Sequence, residues 1–282
     1  MILPFASVFV VFTLIPILSS VVLSFTYFNM LNTPSFVGLE NYIRMFATDN
    51  VFPIAVRNTL IFAVLTGPVG FLMSFLFAWL INELPRSIRP GLTLAFYAPT
   101  LAGNLYFIWL FIFSGDSYGL VNSFMIRAGL ITEPIRWLTD TRYSMGIVVL
   151  VMLWLSMGAG FLSLIAGLQN IDRSMYEAGT MDGINNRWQE LWYITLPQMV
   201  SQMLFAAVMS IAASFAVGYQ SMALTGFPST DYSTHTIVLH IYDMGSIRYE
   251  MGYASAVAVF LFVAMAITWK LIQTSLRKLR RD

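Results

Sequence analysis

The residues whose types and spacing point most clearly to a task lie in the polar segment 169–197. Ser174 and Glu177 form the S-x-x-E pattern of a capping box, in which both side chains bind free backbone N–H groups at the start of a helix. Gly183 is typical of the position after a helix end, where the backbone turns left-handed. Asn185-Asn186 can cap a second helix. We therefore predict a helix, a turn and a second helix, an arrangement that suits a segment docking into another protein.

A second group of polar residues contains the two histidines of the chain, His235 and His240, with Asp231 and Asp243 nearby. A metal site is conceivable, but the spacing matches no established ligand pattern, and we interpret these residues as loop histidines. The absence of cysteine excludes disulfides and thiolate metal sites. No arrangement of a nucleophile with a base is recognisable, so we predict no catalysis and no metal for this chain.

Six apolar stretches must position these residues. The chain has 282 residues, of which 58% are hydrophobic and 10% charged, and this composition is too apolar for a soluble domain. About 20 apolar residues cross the hydrocarbon of a bilayer as a helix. The stretches of that length are 2–25, 58–81, 92–113, 144–168, 198–219 and 251–272. We predict an all-α polytopic membrane protein with six transmembrane helices in a single domain, residues 1–282.

The distribution of charge predicts the orientation. The tail 276–281 is strongly basic, and the positive-inside rule places it in the cytoplasm. Six spans bring the N-terminus to the same side, so segments 82–91 and 169–197 lie inside as well. Segments 26–57, 114–143 and 220–250 then lie outside. The initial apolar run has no basic residue before it, and we interpret it as a transmembrane helix rather than a signal peptide.

Two absences limit how transport could be powered. The first five apolar stretches hold no charged residue, and the sixth holds only Lys270 near its end. Ion-coupled carriers place ionisable groups in the middle of the membrane, so this pattern argues against one. The chain also lacks the G-x-x-x-x-G-K-[ST] loop that cradles nucleotide phosphates. If ATP powers transport, another chain must bind ATP and Mg²⁺.

The segment 169–197 also carries a family motif. Glu177-Ala178-Gly179 is followed after three residues by Gly183, and further on by Ile194-x-Leu196-Pro197. This pattern resembles the EAA motif of binding-protein-dependent ABC importer permeases. Other phrases resemble the carbohydrate-uptake branch of that family, most of all the maltose-type first permease and the similar glycerol-phosphate and multiple-sugar permeases. These phrases are residues 15–17, 36–42, 57–60 and 252–256.

The resemblance implies a short cytoplasmic coupling helix between transmembrane helices 4 and 5, which inserts into a cleft of an ATPase subunit. The residues it assigns to coupling are Glu177, Ala178, Gly179, Asp182, Gly183, Leu196 and Pro197. The chain departs from the motif twice. Gly179 replaces an alanine, and one extra residue separates Gly183 from Ile194. One residue turns a helix by about 100°, so we expect the extra residue in the turn 184–186.

The resemblance also implies partners and a mechanism. The partners are a second homologous permease, two cytoplasmic ATPase subunits and an extracytoplasmic sugar-binding protein, assembled in the plasma membrane of a prokaryote. ATP and Mg²⁺ would sit on the ATPase, and this chain would bind no cofactor. Transport would proceed by alternating access. The outer segments 114–143 and 220–250 are candidates for contact with the binding protein.

A sugar path needs aromatic faces for stacking and neutral hydroxyl or amide groups for hydrogen bonds. The candidates within or next to the spans are Asn104, Trp109, Trp154, Ser156, Ser163, Ser210, Ser214, Tyr219 and Gln220. Each has a structural alternative, because serine often packs or bonds between membrane helices and tryptophan often marks the interface. The alternatives for the whole chain are an ABC permease for a non-sugar solute, a secondary carrier or a non-transporting scaffold.

Overall fold

A computed structural model describes residues 2–103 and 105–279, and α-helices dominate them. The α-helices are α1 (Ile2–Phe9), α2 (Ile15–Leu23), α3 (Glu40–Ala47), α4 (Phe52–Glu83), α5 (Arg89–Leu101), α6 (Tyr106–Ile112), α7 (Leu120–Arg127), α8 (Ser144–Trp154), α9 (Ala159–Gln169), α10 (Arg173–Met181), α11 (Arg187–Glu190), α12 (Leu196–Gln198), α13 (Val200–Phe215), α14 (Tyr219–Thr225), α15 (Ile237–Tyr242) and α16 (Met251–Leu279). Short helical turns of other types are the π turns Val10–Leu14, Leu191–Thr195 and Asp243–Ile247 and the 3-10 turn Thr230–Tyr232. Strands β1 (Thr26–Tyr27) and β2 (Ser35–Phe36) form one antiparallel pair with Thr26 opposite Phe36.

The membrane-spanning helices agree with the predicted stretches. Four segments are long and apolar enough to cross a membrane, namely Leu3–Leu23, Phe52–Glu83, Ser144–Gln169 and Met251–Leu271. Two more pass the same test as bent pairs: α5 with α6, bent by 89°, and Arg187–Gln198 with α13, bent by 81°. Counting each pair as one span gives six. The prediction of an all-α polytopic membrane protein is confirmed, but two of the expected spans are broken.

Residues 2–60 and 216–267 form one compact unit. Its non-helical backbone is held by buried polar side chains, as the low polarity of the surroundings requires. The Asn58 side-chain amide donates hydrogen bonds to the carbonyls of Tyr232 (2.8 Å) and His235 (2.9 Å). These bonds fix the turn that leads into α15.

The described residues of 61–215 and 268–279 form the other compact unit. Its core contains the buried side chains of Phe161 and Leu164 on α9. Helix α9 packs closely on α13, because a Cβ at Gly160 would lie 3.1 Å from Ala206 Cα and one at Gly167 would lie 2.9 Å from Gln202 Cγ. Glycines two turns apart thus let the two helices touch along their length. The segment 169–197 is carried between these helices.

Candidate functional site

The coupling segment, defined as residues 169–197, begins its first helix at Arg173. Asp172 caps α10, since its carboxylate accepts a hydrogen bond of 3.0 Å from the backbone N–H of Ser174. The hydrogen bonds from Ser174 hold the pKa of Asp172 below its usual range. The predicted capping box of Ser174 and Glu177 is therefore wrong. Ile171, which precedes the cap, packs on the core and sets the earlier start.

The end of α10 is formed as predicted by Gly183, whose φ is +92°. The N–H of Ile184 donates to the carbonyl of Gly179 at 3.0 Å, and the N–H of Gly183 donates to that of Thr180 at 3.3 Å. This pair of bonds defines a Schellman motif. A Cβ at residue 183 would meet nothing within 4 Å. Within the described part of the chain the glycine is thus needed for its left-handed backbone.

The motif residue Gly179 faces inward. A Cβ there would lie 2.6 Å from Ile194 Cδ1 and 3.2 Å from Ile184 Cδ1. One turn away on the same face, the Tyr176 hydroxyl pairs with the Thr195 hydroxyl at 3.0 Å. Gly179 is buried, so within the chain it seats α10 on residues 191–195 and presents no surface to another protein.

The second half of the segment contains the extra residue. Asn186 caps α11 as predicted, with Oδ1 accepting a 2.8 Å bond from the N–H of Gln189. The π turn Leu191–Thr195 follows, in which the N–H of Leu196 donates to the carbonyl of Leu191 five residues back. A π turn holds one more residue than an α turn. This π turn can hold the extra residue as well as the turn 184–186 can, and the expected position in that turn stays a prediction. Leu196 and the exposed Pro197 follow the π turn directly.

The outward face of α10 has the properties of a contact surface. Glu177, Ala178 and Asp182 are exposed there, and Met181 beside them is 88% exposed. Among the described residues, no basic side chain lies within 4.0 Å of the Glu177 carboxylate. An unpaired carboxylate next to an exposed apolar side chain suits a partner with a basic residue at the rim of an apolar cleft.

The coupling segment is tied to the membrane helices. Arg187 forms ion pairs with Glu83 (3.1 Å) at the end of α4 and with Glu190 (2.7 Å) on α11. The segment also connects α9 to α13, and these two helices pack closely at Gly160 and Gly167. Closely packed helices move together because protein interiors are nearly incompressible. A displacement of α10 would therefore reach the membrane helices rather than be absorbed in a loop.

A cavity of about 360 Å³, hereafter the hydroxyl cavity, lies among the membrane helices of the same unit. Three of the predicted path residues line it, namely Ser156, Ser210 and Ser214. Sequence reasoning missed other polar lining residues, which are Thr66, Ser74, Tyr97 and Thr100. A signal was present, since Gly67 and Gly70 sit one turn apart on α4, where small residues mark close helix contact.

The serines of the hydroxyl cavity also hold the helices together. Ser210 Oγ donates to the carbonyl of Gly67 at 2.7 Å, so it bonds across helices. Ser156, in the turn after α8, and Ser214, on α13, each donate to the carbonyl three residues back. Because these bonds use the hydroxyl protons, each oxygen offers an acceptor lone pair to the cavity. No residue lining the cavity carries a charge. The cavity therefore suits an uncharged polar molecule that donates hydrogen bonds.

The remaining path candidates lie elsewhere. Trp109 and Trp154 meet edge to face with ring centroids 5.4 Å apart, and both line a separate apolar pocket of about 700 Å³. Ser163 does not line the hydroxyl cavity. Tyr219 and Gln220 begin α14 in the other unit. Asn104 lies outside the described residues.

The two histidines are buried; the interpretation as loop residues holds for His235, which lies in the connection before α15, and is wrong for His240. His240 lies on α15, and its Nε2 is 2.9 Å from an Asp49 carboxylate oxygen. Burial lowers the pKa of His240, although the Asp49 carboxylate opposes the shift, and burial lowers the pKa of His235 to about 4. Both are therefore neutral at pH 7, and the Nε2–H of His240 donates to Asp49. In the described ranges, no group of three His, Asp or Glu side chains is placed to hold a metal ion.

Two known relatives match this chain over most of its length. The chain is 32% identical over 265 residues to the lactose transport system permease protein LacF of Rhizobium radiobacter, covering 91% of this chain and 86% of the relative. It is 30% identical over 266 residues to the arabinooligosaccharides transport system permease protein AraP of Bacillus subtilis, covering 94% and 83%. No family model matches the chain.

Solved structures agree with these relatives. The chain superposes with a TM-score of 0.81 and 25% identity on a chain from the crystal structure of a bacterial ABC transporter involved in the import of the acidic polysaccharide alginate, over 99% of this chain and 94% of the other. A second structure shares the fold, with a TM-score of 0.83 and 23% identity over 100% and 94%. It shows a bacterial alginate ABC transporter in complex with an alginate pentasaccharide-bound periplasmic protein.

Proposed function

The chain belongs to the permease subunits of carbohydrate ABC importers, and from that premise we propose how it is driven and where its substrate passes. It is the membrane-spanning subunit of a binding-protein-dependent importer of sugars or oligosaccharides. ATP is hydrolysed with Mg²⁺ on a separate ATPase subunit, so this chain is not an enzyme and binds no cofactor. Family membership also removes the basis for a secondary carrier or a scaffold.

The coupling segment is the proposed contact with the ATPase. The observation that carries this proposal is the division of α10 into two faces. Its inner face is seated through Gly179 on Ile194, while its outer face presents Glu177 without a partner among the described residues. The packed inner face would fix α10 to the rest of the segment, and the exposed acidic face would be free to contact another subunit. A displacement of α10 by the ATPase would then be transmitted to α9 and α13.

The hydroxyl cavity is the proposed part of the sugar path. Hydroxyl-rich substrates donate many hydrogen bonds, and the oxygens of Ser156, Ser210 and Ser214 are available as acceptors. The same cavity touches Tyr97 and Phe71, whose rings can stack on sugar faces. The cavity borders the α9–α13 contact, since Gly160 of α9 and Ala206 of α13 both line it. Movement of that contact would therefore change the shape of the cavity.

The proposed assembly contains a second homologous permease, two ATPase subunits and an extracytoplasmic sugar-binding protein. The alginate transporter, which was solved with a periplasmic protein, supports the last of these. The outer segments 114–143 and 220–250 are the proposed contacts for the binding protein. Both termini and the coupling segment would lie in the cytoplasm of a prokaryote.

The orientation can be tested directly, because the chain contains no cysteine. Ala178→Cys on α10 and Ala128→Cys after α7 each introduce a single thiol at an exposed position. A membrane-impermeant maleimide added to intact cells is expected to label residue 128 and to label residue 178 only after lysis. The reverse labelling pattern would overturn the orientation.

Coupling can be tested in proteoliposomes that contain the purified complex. Glu177→Lys is expected to abolish ATP-dependent sugar uptake and the stimulation of ATPase activity by the binding protein. Glu40→Lys, the same charge change at an exposed residue of the outer segment 26–57, serves as the matched control and is expected to retain both. Full uptake by the Glu177 variant would refute the coupling role, and uptake without ATP would refute the importer mechanism.

A further inference from the structure

A groove beside α5 has the layout of a binding site for an amphiphile. It has a volume of about 700 Å³ and lies between α5 and α9. Its apolar walls include Leu94, Leu162 and Ile165, while Arg86 and Arg89 stand at one end. Tyr97 also lines the hydroxyl cavity and Gln169 begins the coupling segment, whereas the other residues of the groove have no role assigned above.

The two arginines have no acidic partner. Among the described residues, no carboxylate lies within 4.0 Å of either guanidinium. Arg89 donates from Nε to the carbonyl of Leu84 at 2.8 Å and from Nη1 to Asn82 Oδ1 at 3.1 Å, which leaves its Nη2 group free to bind an anion. The nearby Glu83 is already paired with Arg187. The end of the groove therefore carries uncompensated positive charge.

The depth of the groove matches one leaflet of a bilayer. Arg86 lies in the connection between α4 and α5, at the boundary of two spans, and Arg89 begins α5. The lining runs along α5 from Arg89 to Tyr97, which is about 12 Å at a helix rise of ~1.5 Å per residue. Half of the hydrocarbon thickness is about 15 Å. An acyl chain could lie along the groove while its headgroup stays at the boundary.

The polar end opens into a second space suited to a headgroup. A cleft of about 600 Å³ shares Arg86, Arg89 and Gln169 with the groove. Its other charged lining residues are Glu83, Asp172, Arg173, Arg187 and Glu190, so arginines outnumber carboxylates there by one. The two arginines thus lie at the junction of the apolar groove and the polar cleft. Basic pockets between membrane helices at the bilayer surface are known to hold phosphate-bearing lipid headgroups. We propose that this groove binds an anionic phospholipid, with its phosphate on Arg86 and Arg89 and one acyl chain between α5 and α9.

The proposal is tested by native mass spectrometry of the complex purified from its own membrane. Phosphatidylglycerol and phosphatidylcholine with identical acyl chains are titrated separately. The natural chain is expected to retain phosphatidylglycerol more tightly. Arg86→Gln with Arg89→Gln is expected to weaken that binding about thirtyfold, towards the phosphatidylcholine level, while the partner chains remain bound. Arg127→Gln with Arg142→Gln removes the same charge from exposed residues elsewhere and is expected to leave phosphatidylglycerol binding unchanged.

Two further measurements distinguish a bound lipid from other occupants of the groove. Thr93→Phe narrows the apolar wall and is expected to weaken phosphatidylglycerol binding, whereas inorganic phosphate at millimolar concentration is expected not to compete. Effective competition by phosphate together with unchanged binding to the Phe variant would show a free-anion site and overturn the proposal. Unchanged phosphatidylglycerol binding in the double arginine variant would overturn it too. Loss of the second permease from that variant, with no lipid on the natural complex, would identify a protein as the occupant.

Discussion

The contact of Gly179 on α10 with Ile194 gives a prediction for which the family motif and the structure disagree. Replacing Gly179 by alanine restores the residue that the EAA motif has, so the motif alone predicts no loss. In the structure the new Cβ would lie 2.6 Å from Ile194 Cδ1, whereas carbon atoms in contact prefer about 3.5 Å or more. Ile194 would have to withdraw by roughly 1 Å, and it is only 6% exposed.

The expected cost follows from two opposing effects. Overpacking of a buried site costs about 1–3 kcal/mol. Alanine is better than glycine within a helix by about 0.5–1 kcal/mol. The net expectation for Gly179→Ala is a loss of about 1 kcal/mol, with the apparent Tm of the purified complex lower by about 2–4 °C. The weakened seat should also reduce the ATPase that remains bound after purification.

A second substitution identifies the cause. Ile194→Val deletes the Cδ1 atom that the new Cβ would strike and costs about 0.5–1.5 kcal/mol on its own. In that background the effect of Gly179→Ala is expected to reverse and become stabilising, which a double-mutant cycle measures. Gly91→Ala, where a Cβ meets nothing within 4 Å, is the control. The reasoning fails if Gly179→Ala lowers neither Tm nor ATPase retention, or if Ile194→Val does not alter its effect.

Three further predictions concern the packing of α9 on α13, the buried His235 and the sugar path. Gly160→Ala is expected to lower the apparent Tm and the yield of assembled complex, since its Cβ would lie 3.1 Å from Ala206 Cα, a backbone atom that cannot rotate away; normal yield and Tm would contradict this. His235 binds a proton near pH 6.5 when unfolded but only near pH 4 when folded, because burial and then His240 disfavour its charge. The contribution of His235 to the free energy of unfolding is therefore fully present above pH 6.5 and is lost as the pH falls towards 4, by up to about 3 kcal/mol. The slope of Tm against pH should flatten in His235→Phe, and an unchanged slope would refute this origin. Ala213→Leu narrows the hydroxyl cavity and is expected to slow sugar uptake while ATPase binding persists, so uptake at the natural rate would exclude the cavity from the path.

The membrane fold was predictable because its signal is local. A run of about 20 residues without charge needs no distant partner to be recognised as a span. The bends were not predictable from the same signal, since hydropathy does not record backbone direction. In the fifth span, Pro197 lacks an N–H to donate back along the helix, and the bend follows at Met199.

The coupling segment was predictable in outline and wrong in detail for a physical reason. Gly183 and Asn186 act through their own backbone or the next turn, so their roles could be recognised in the sequence. The choice between Asp172 and Ser174 as cap depends on the packing of Ile171 against the core, which local sequence does not reveal. The burial of His240 likewise depends on Asp49, 191 residues away.

The contact between α10 and the ATPase is the central claim and can be measured directly. Because the chain has no cysteine, Ala178→Cys supplies a single thiol beside Glu177. Treatment of native membranes with a short thiol-to-amine cross-linker, followed by purification of the permease, is expected to recover it joined to an ATPase subunit. Ala128→Cys should give no such product. If the thiol at residue 178 cross-links to no ATPase while the complex remains assembled, α10 is not the coupling helix and the account is contradicted.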